Sequence, residues 1–295
     1  MTTSDLERSG PAALADRHGL TPIGQQPALR SYVASLWERR YFMMTFARSR
    51  IAAENAESRL GQLWQVLNPL LNAAVYYLVF GVILGANKNI DNYIAFLITG
   101  VFIFAFTQRT IMSGSRSISG NLGLVRALHF PRAVLPFAKV LEELIKTGTS
   151  LIVLAVIVLG TGEPLTGQWL LLAPVILLQL MFSAGLALIF ARLTADVRDI
   201  AQFLPFALRI WMYLSGVMYS IRLFVEDRDI SPVIEWVLIG NPAAVYIELA
   251  RDALMATDQT NAPIWTWYLA IGWAVVMLPL GFLFFWRAEA RYGRG

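Results

Sequence analysis

Charge-free apolar runs constrain this chain more than any other feature of its sequence. No Asp, Glu, Lys or Arg occurs between Arg59 and Lys88, and similar runs recur as far as Trp286. About 20 apolar residues in a helix cross the ~30 Å hydrocarbon core of a bilayer, where backbone polar groups must be bonded within the protein. Only 15% of the residues are charged, against about 25% in soluble domains. The sequence therefore predicts an all-α membrane protein.

Six transmembrane helices account for the apolar runs. The third must begin near Val134, because its charge-free part is too short to cross by itself. It then carries four charges in its inner half, which we expect to pair at i,i+4 as Lys139 with Glu143 and Glu142 with Lys146. The predicted spans are 67–86, 93–110, 134–159, 169–191, 200–221 and 264–286, with a flexible cytoplasmic tail (1–28) and an interface arm (29–66) before them and a cytoplasmic tail (287–295) after them.

The distribution of cations predicts the orientation. With six spans, 20 of the 24 Lys and Arg residues lie on the side of both termini, whereas the 41-residue loop 222–262 on the other side has a net charge of −4. Loops rich in Lys and Arg stay on the cytoplasmic side. We therefore expect a multi-pass protein of the plasma (cell inner) membrane with both termini in the cytoplasm.

The arm, residues 29–66, has the pattern of an amphipathic helix that lies at the membrane surface. Its apolar residues recur at three- and four-residue spacing, and Trp37, Arg39, Arg40 and Tyr41 are of types suited to the headgroup layer. An ordinary packed helix is the alternative.

Two proline-led segments stand out in the loop 222–262. Ser231 and Asn241 each precede a proline, which is a typical start of a helix. The helices that they would open are apolar but too short to cross, so we predict two short re-entrant outer helices between spans 5 and 6. A cap lying on the membrane surface is the alternative.

The segment from Ser113 to Pro136, here called the basic loop, lies between spans 2 and 3. It contains Arg116, Arg126 and Arg132, and no acid occurs from residue 92 to residue 141. Such a loop is either a positively charged linker on the cytoplasmic side or a short helix offered to a cytoplasmic partner.

The chain lacks the residues that most enzymes and ion-coupled transporters need. It has no cysteine, no Gly-Lys pair for a phosphate-binding loop, and only His18 and His129 as histidines. No Asp or Glu lies in the middle of a span, where a proton or ion relay would need one. We therefore expect no catalytic residue, metal or cofactor in this chain; the energy must come from a partner, and the basic loop is the candidate receiver.

Four motifs resemble the ABC-2 type polysaccharide exporter permeases, which include the O-antigen and teichoic acid exporters. They are SRLGQLWQVLNPLL at Ser58–Leu71, the run Asn121–Pro136 in the basic loop, SGVMYSI at Ser215–Ile221 and NPAA at Asn241–Ala244. The resemblance extends from about residue 29 to residue 286, so the expected ABC-2 type transmembrane domain is 67–286.

The resemblance implies a permease subunit that is not an enzyme by itself. It would form a homodimer in the membrane, bound to two copies of a separate ABC subunit that binds ATP and Mg²⁺. The substrate would be a lipid-linked glycan of the O-antigen or galactan type, carried on a polyprenyl pyrophosphate; nucleic acid is not an expected partner. Two other functions stay open, namely an ABC-2 exporter of a drug or small lipid, and a membrane-embedded glycan-synthesis enzyme.

Two sets of residues are predicted to serve coupling and transport. In the basic loop, apolar side chains are expected to enter a cleft of the ATP-binding subunit with two arginines on its rim: Leu122, Val125, Leu128 and Phe130, with Arg126 and Arg132. In the first and fifth spans, aromatic side chains are expected to line a channel for sugar rings: Tyr76, Tyr77, Phe80, Phe203, Phe206, Trp211, Tyr213 and Tyr219. Packing inside the protein or against lipid is the alternative for the aromatic set.

Arg209 is the one charge well inside the fifth span. At roughly 13 Å along the helix axis, an unpaired and unhydrated cation costs at least ~2.5 kcal/mol. Two roles stay open. Arg209 pairs with Glu142 or Glu143 of the third span, or it faces the dimer cavity and binds the pyrophosphate of the lipid carrier, for which a forked guanidinium is suited.

Overall fold

The computed structural model describes residues 28–57, 63–85, 90–128, 130–226, 231–256 and 262–292. These residues form helices joined by short turns, with no β-strand among them, which confirms the predicted all-α class. All but the last residue of the predicted tail 1–28 lies outside the described ranges, as do His129 and the last three residues of the chain.

The described chain contains twelve α-helices. In chain order they are α1 (Leu29–Glu38), α2 (Arg40–Glu57), α3 (Leu63–Tyr76), α4 (Tyr93–Ser115), α5 (Leu122–Ala127), α6 (Val134–Gly160), α7 (Leu172–Asp196), α8 (Ile200–Leu214), α9 (Ile221–Glu226), α10 (Pro232–Ile239), α11 (Pro242–Leu254) and α12 (Ile264–Trp286). A π-helical segment, Tyr77–Ile83, continues α3, and 3-10 turns at Ser119–Asn121, Gly167–Leu171 and Glu289–Arg291 precede α5, precede α7 and follow α12.

Five helical segments of the described chain are long and apolar enough to cross a membrane. They are Val66–Ile83, α4, α6, Gly167–Asp196 and α12. Helices α10 and α11 meet at an angle of 63°, and they supply a sixth crossing only if the bent pair counts as one span. A multi-pass, all-helical membrane protein is thereby confirmed, while the division into six spans with two re-entrant helices stays a prediction.

The predicted fifth span, 200–221, is wrong in length. α8 ends at Leu214, because the chain turns at Ser215 and Gly216 takes a left-handed conformation with a φ of 63°. A helix of 15 residues rises only about 22 Å, which is less than the thickness of the hydrocarbon core. Hydropathy could not reveal this end, because the sequence stays apolar beyond it.

The other predicted elements agree with the structure to within a turn or so. α3 begins at Leu63 rather than at residue 67, α4 extends to Ser115 rather than to residue 110, and α6 begins at Val134 as predicted. The Asn241 side chain caps α11 by accepting a hydrogen bond from the N–H of Ala243. Ser231 makes no such bond at α10, where the proline alone opens the helix.

α4 is the centre of the bundle. Sixteen of its 23 residues are buried, whereas the other long helices each leave a broad stripe exposed. The main hydrophobic core forms around α4, from the π-helical end of α3 and from α7, α11 and α12. Polar contacts inside it include those of the Gln179 amide of α7, which donates to the carbonyl oxygen of Ile103 and the hydroxyl oxygen of Thr107.

The two ends of the bundle carry different structures. At one end, called the arm end, α1 and α2 pack against the basic loop, the start of α6 and the segment after α12. At the other end, called the hairpin end, α11 packs against the start of α4 and α10 lies beside it. The bent pair α10–α11 is called the hairpin below.

α7 and α12 approach until their backbones touch. A Cβ atom at Gly281 would meet the carbonyl oxygen of Gly185, and a Cβ atom at Gly185 would meet the carbonyl group of Met277. Because lipid tails are as apolar as leucine, helices associate in membranes by such close packing of small residues.

Replacing Gly281 with alanine should therefore destabilise the protein, because the new methyl group has no space against α7. We expect a loss of roughly 1–3 kcal/mol, measured as the thermal unfolding midpoint of the detergent-purified protein. Gly272→Ala is the matched control, since it lies on the same helix and a Cβ atom there meets nothing within 4 Å. An equal effect of both substitutions would contradict the close contact.

Candidate functional site

The basic loop folds as a short helix against the chain's own core. Val125 of α5 is only 4% exposed and lies in the same apolar core as Tyr32 of the arm. Phe130 packs on that core too, and Leu122 is half-buried. The expected outward position of Val125 is therefore wrong, because the arm covers the inner side of this loop.

The C-terminal part of the basic loop forms its solvent-exposed side. Leu128 is 52% exposed, and Arg126, two residues before it on α5, is also exposed. Arg132 is partly covered, since its guanidinium is bonded to the segment after α12. Leu128 and Arg126 are thus the predicted loop residues with surface available to a partner.

Glu289, in the turn after α12, holds the basic loop and the arm together. Its carboxylate accepts hydrogen bonds of 2.8 Å from the Tyr32 hydroxyl and from the backbone N–H of Arg132. The Arg132 guanidinium donates to the Glu289 carbonyl oxygen at 2.6 Å, and the N–H of Ala133 donates to the Tyr32 hydroxyl at 3.1 Å. Burial raises the pKa of the Glu289 carboxyl, while the hydrogen bonds from Arg132 and Tyr32 oppose that shift. This cluster joins three elements at the arm end.

Sequence reasoning did not identify Tyr32 or Glu289 as part of the site. A signal was present, because Glu289 is the one acid among the cations of the segment 287–295. A second contact between the arm and the loop joins Arg50 of α2 to the side-chain oxygen of Asn121 at 2.6 Å. The arm is therefore bonded to the basic loop just before α5 and just before α6.

A charge network that is buried on α6 joins that helix to the arm. Lys146 donates to Glu142 at 2.7 Å and to Glu54 of α2 at 2.6 Å, and Lys139 donates to Glu142 at 2.7 Å. The predicted pair of Glu142 with Lys146 is confirmed. Lys139 pairs with Glu142, three residues away, rather than with the predicted Glu143, because the Glu143 carboxylate is directed toward Arg109 of α4.

Glu143 turns instead toward α4. Its carboxylate lies 3.7 Å from Nε of Arg109 and 3.9 Å from Nζ of Lys146. The network thus alternates three cations with three anions across α2, α4 and α6, which is how buried charges are tolerated. It leaves neither Glu142 nor Glu143 as a partner for Arg209.

α3 and α8 touch near their hairpin ends, and each leaves a stripe of residues exposed. Their contact includes the Tyr76 hydroxyl, which lies 3.8 Å from the sulfur of Met212. The two stripes, called the α3–α8 face below, consist of Asn68, Leu71, Asn72 and Val75 on α3 and of Phe203, Phe206, Arg209, Ile210 and Tyr213 on α8.

Arg209 is exposed on this face and has no ion-pair partner among the described residues. The expected structural pair with Glu142 or Glu143 is therefore wrong, because both carboxylates are bonded within the charge network. Asn68 and Asn72 are polar residues on the same face that sequence reasoning did not single out. Their four-residue spacing on a transmembrane helix was the available signal.

The structure divides the eight predicted channel aromatics into two groups. Phe203, Phe206 and Tyr213 are 62%, 59% and 43% exposed on the α3–α8 face. The other five are partly buried in contacts within the chain, as in the bond of 2.8 Å from the Trp211 indole to the Asn241 side chain; they are Tyr76, Tyr77, Phe80, Trp211 and Tyr219.

The predicted arm residues lie at the surface of the arm end. Trp37 and Tyr41 are 69% and 71% exposed, and the Arg40 guanidinium lies against both of their rings. Arg39 is exposed between α1 and α2. Such a belt suits the headgroup layer of a membrane. Among the described residues, no group of three or more His, Asp or Glu could hold a metal ion.

Comparison with known proteins agrees with this architecture. Residues 45–255 match the family described as ABC-2 type transporter. The chain therefore belongs to the ABC-2 type transporter family, whose members are multi-pass membrane subunits of transporters.

Individual relatives are similar over most of their length. An O-antigen export system permease protein RfbA from Klebsiella pneumoniae is 29% identical over 199 residues, which cover 67% of this chain and 74% of the relative. A protein of the same name from Myxococcus xanthus is 29% identical over 195 residues, covering 66% and 74%. The polysialic acid transport protein KpsM from Escherichia coli is 25% identical over 199 residues, covering 67% and 74%.

Proposed function

We propose that this chain is the membrane permease subunit of an ABC exporter that moves a polysaccharide across the plasma membrane. Membership of the ABC-2 type family supports the class of transporter. The names of the relatives, which are O-antigen export permeases and a polysialic acid transport protein, support a polysaccharide as the substrate. The observation that carries the proposal is the exposed cation Arg209 on an apolar helix at membrane depth.

Arg209 can lie within a membrane only if the α3–α8 face is hydrated. A charge inside a span faces a bundle interior or a water-filled cavity, because hydrocarbon cannot solvate it. Asn72 and Arg209 each lie nine residues after the start of their helix, so both are roughly 13 Å along it. Two parallel helices thus carry polar side chains at one depth, as expected for the wall of a hydrated pathway.

The α3–α8 face of one chain cannot enclose such a pathway. A second copy that turns the same face toward it would form an isologous pair, the commonest symmetry of homo-oligomers. The pathway would then lie between the copies, with Asn72 and Arg209 in its wall. Phe206 and Tyr213 add flat rings on the same stripe, which can stack on sugars.

Energy would come from two copies of a separate ABC subunit that binds ATP and Mg²⁺ at the arm end. Leu128 and Arg126 offer the exposed apolar and cationic surface for that partner. Because Glu289 and Arg132 bind the basic loop to α12 and the arm, a displacement of the loop would reach the helices directly. The excess of cations at this end supports a cytoplasmic position for both termini.

The cargo that we favour is a lipid-linked glycan of the O-antigen or galactan type. Arg209 would bind the pyrophosphate of a polyprenyl carrier, since a guanidinium donates two parallel hydrogen bonds to phosphate oxygens. An exporter of a drug or small lipid with the same architecture is the second candidate. A membrane-embedded glycan-synthesis enzyme finds no support in the described residues, whose buried acids belong to structural pairs and hydrogen bonds.

The first test concerns Arg209 and the cargo. In vesicles that contain the complex with its ABC subunit, a polyprenyl-pyrophosphate-linked glycan should stimulate ATP hydrolysis. Arg209→Ala should reduce the stimulation by about tenfold, as expected for the loss of at least ~1.4 kcal/mol of binding. Arg198→Ala, at an exposed cation between α7 and α8, is the matched control. Full stimulation of a folded Arg209→Ala complex would contradict the role of Arg209, and stimulation by small lipophilic compounds alone would favour the drug exporter.

The second test concerns the dimer. Because the chain has no cysteine, single cysteines can be introduced without background reaction. Phe206→Cys and Tyr213→Cys should each cross-link two copies in membranes, since a twofold axis along this face brings equivalent residues together. Val156→Cys, which is equally exposed at 65% but lies on α6, should not cross-link. Cross-linking at Val156→Cys but not at Phe206→Cys or Tyr213→Cys would place the contact between copies elsewhere.

The third test concerns the basic loop. Leu128→Asp should weaken binding of the ABC subunit by about tenfold or more, because a carboxylate would be buried against an apolar partner. Export of the glycan to the cell surface should fall with it. Val197→Asp is the matched control, since Val197 is 51% exposed in the other loop at the arm end. Equal export by both variants would mean that Leu128 does not contact the partner.

A further inference from the structure

The hairpin end contains a non-helical segment that is buried at membrane depth. Residues 215–218 follow α8 directly, and Ser215, Val217 and Met218 are at most 1% exposed. In hydrocarbon, unpaired backbone groups are too costly to persist, so irregular backbone occurs only where the protein satisfies it. The carbonyl groups of this segment must therefore find donors in other elements.

Three side chains supply those donors. The Arg251 guanidinium donates to the carbonyl oxygens of Gly216 and Val217 at 3.0 and 2.9 Å. The Tyr93 hydroxyl of α4 donates to the carbonyl oxygen of Met218 at 2.8 Å. The Asn241 amide donates to the carbonyl oxygen of Leu214 at 3.1 Å. Four carbonyl oxygens at the end of α8 are thus satisfied by α4 and the hairpin.

Arg251 is the centre of this arrangement. It is 6% exposed, and its Nε also donates to the carbonyl oxygen of Phe96 on α4 at 3.1 Å, with the guanidinium against the Phe96 ring. No described carboxylate forms an ion pair with it, since the nearby Glu248 bonds to Arg222 at 2.6 Å. The charge is therefore held by carbonyl dipoles and one ring.

The surroundings are shaped to accept this guanidinium. A Cβ atom on Gly100 of α4 would lie 2.6 Å from Nη2 of Arg251 and 3.0 Å from the carbonyl oxygen of Val217. Because Gly100 has no side chain, α4, the Arg251 guanidinium and the segment after α8 can meet at this point. Lysine could not replace the arginine equally, because its donors share one nitrogen, whereas the guanidinium holds them in a planar fork.

α8 needs this attachment because it packs weakly along its length. Among its residues, Leu204, Leu208 and Met212 alone are buried, and the opposite stripe belongs to the exposed α3–α8 face. At the hairpin end, Met212 and Trp211 pack in the main core, but the turn beyond Leu214 is no longer helical and depends on donors from other elements. The hydrogen bonds of Arg251 provide a restraint at the point where the helix stops.

We propose that Arg251 is a positioning residue of the transport pathway. It fixes the hairpin end of α8 to α4 and to the hairpin, and so sets where Tyr213 and its neighbours stand in the pathway wall. This inference rests on the proposed function, because it takes the α3–α8 face as that wall. The arm end of α8, which carries Phe203, lies beyond the reach of Arg251 and should not depend on it.

The experiment compares the two ends of α8 in an Arg251→Lys protein. Cross-linking between copies at Tyr213→Cys should fall about tenfold, whereas cross-linking at Phe203→Cys should stay unchanged. In parallel, Val217→Cys, buried at 0% exposure, should become reactive toward a membrane-impermeant maleimide. Arg222→Lys is the matched control, because Arg222 is an arginine at the same end of the bundle that pairs with Glu248 at 2.6 Å.

A second variant keeps the arginine and disturbs its site. Gly100→Ala should reproduce the loss at Tyr213→Cys, because the new methyl group displaces the guanidinium. Gly148→Ala, with nothing within 4 Å of its Cβ, should not.

Unchanged cross-linking and an unreactive Val217→Cys in both the Arg251→Lys and the Gly100→Ala protein would overturn the inference, as would equal loss of cross-linking at both ends of α8. If neither cysteine cross-links in the parent chain, the proposed dimer fails, and the maleimide reaction of Val217→Cys still decides whether Arg251 holds the segment.

Discussion

The need to satisfy every backbone polar group away from water determines most of this structure. Helices meet that need within themselves, so the described spans are helical and the central α4 is buried almost along its whole length. Where α8 stops, side chains of other elements replace the missing helical bonds, with Arg251 at the centre. The hairpin thereby joins α8 to α4, although α4 is far from both in sequence.

The charged side chains of the bundle also need partners or water, and they fall into two groups. The network of Glu54, Glu142, Glu143, Arg109, Lys139 and Lys146 is paired internally and joins the arm to α4 and α6. Arg209 is exposed and has no ion-pair partner among the described residues, and we therefore propose that it faces a hydrated surface. The paired charges thus serve the fold, and the proposed pathway rests on the unpaired one.

The arm end combines elements from both ends of the sequence. Tyr32 comes from the arm, Arg132 from the basic loop and Glu289 from the segment after α12. Tyr32 and Arg132 are both hydrogen-bonded to Glu289. Val125 is buried beneath this cluster, which leaves Leu128 as the exposed apolar residue of the loop. A partner that moves the loop would therefore move the arm and α12 with it.

The sequence by itself determined the membrane class, the location of the long helices, the start of α6 and the cap at Asn241, because these follow from apolar run length and local propensity. It also contained the Glu142–Lys146 pair, which depends only on helical spacing. Tertiary structure decided the end of α8, the partners of Lys139 and Glu143, the exposed position of Arg209 and the inward position of Val125. Those outcomes depend on contacts between residues distant in the chain, such as Arg251 with Gly216 and Tyr32 with Glu289, and no local pattern encodes which elements will meet.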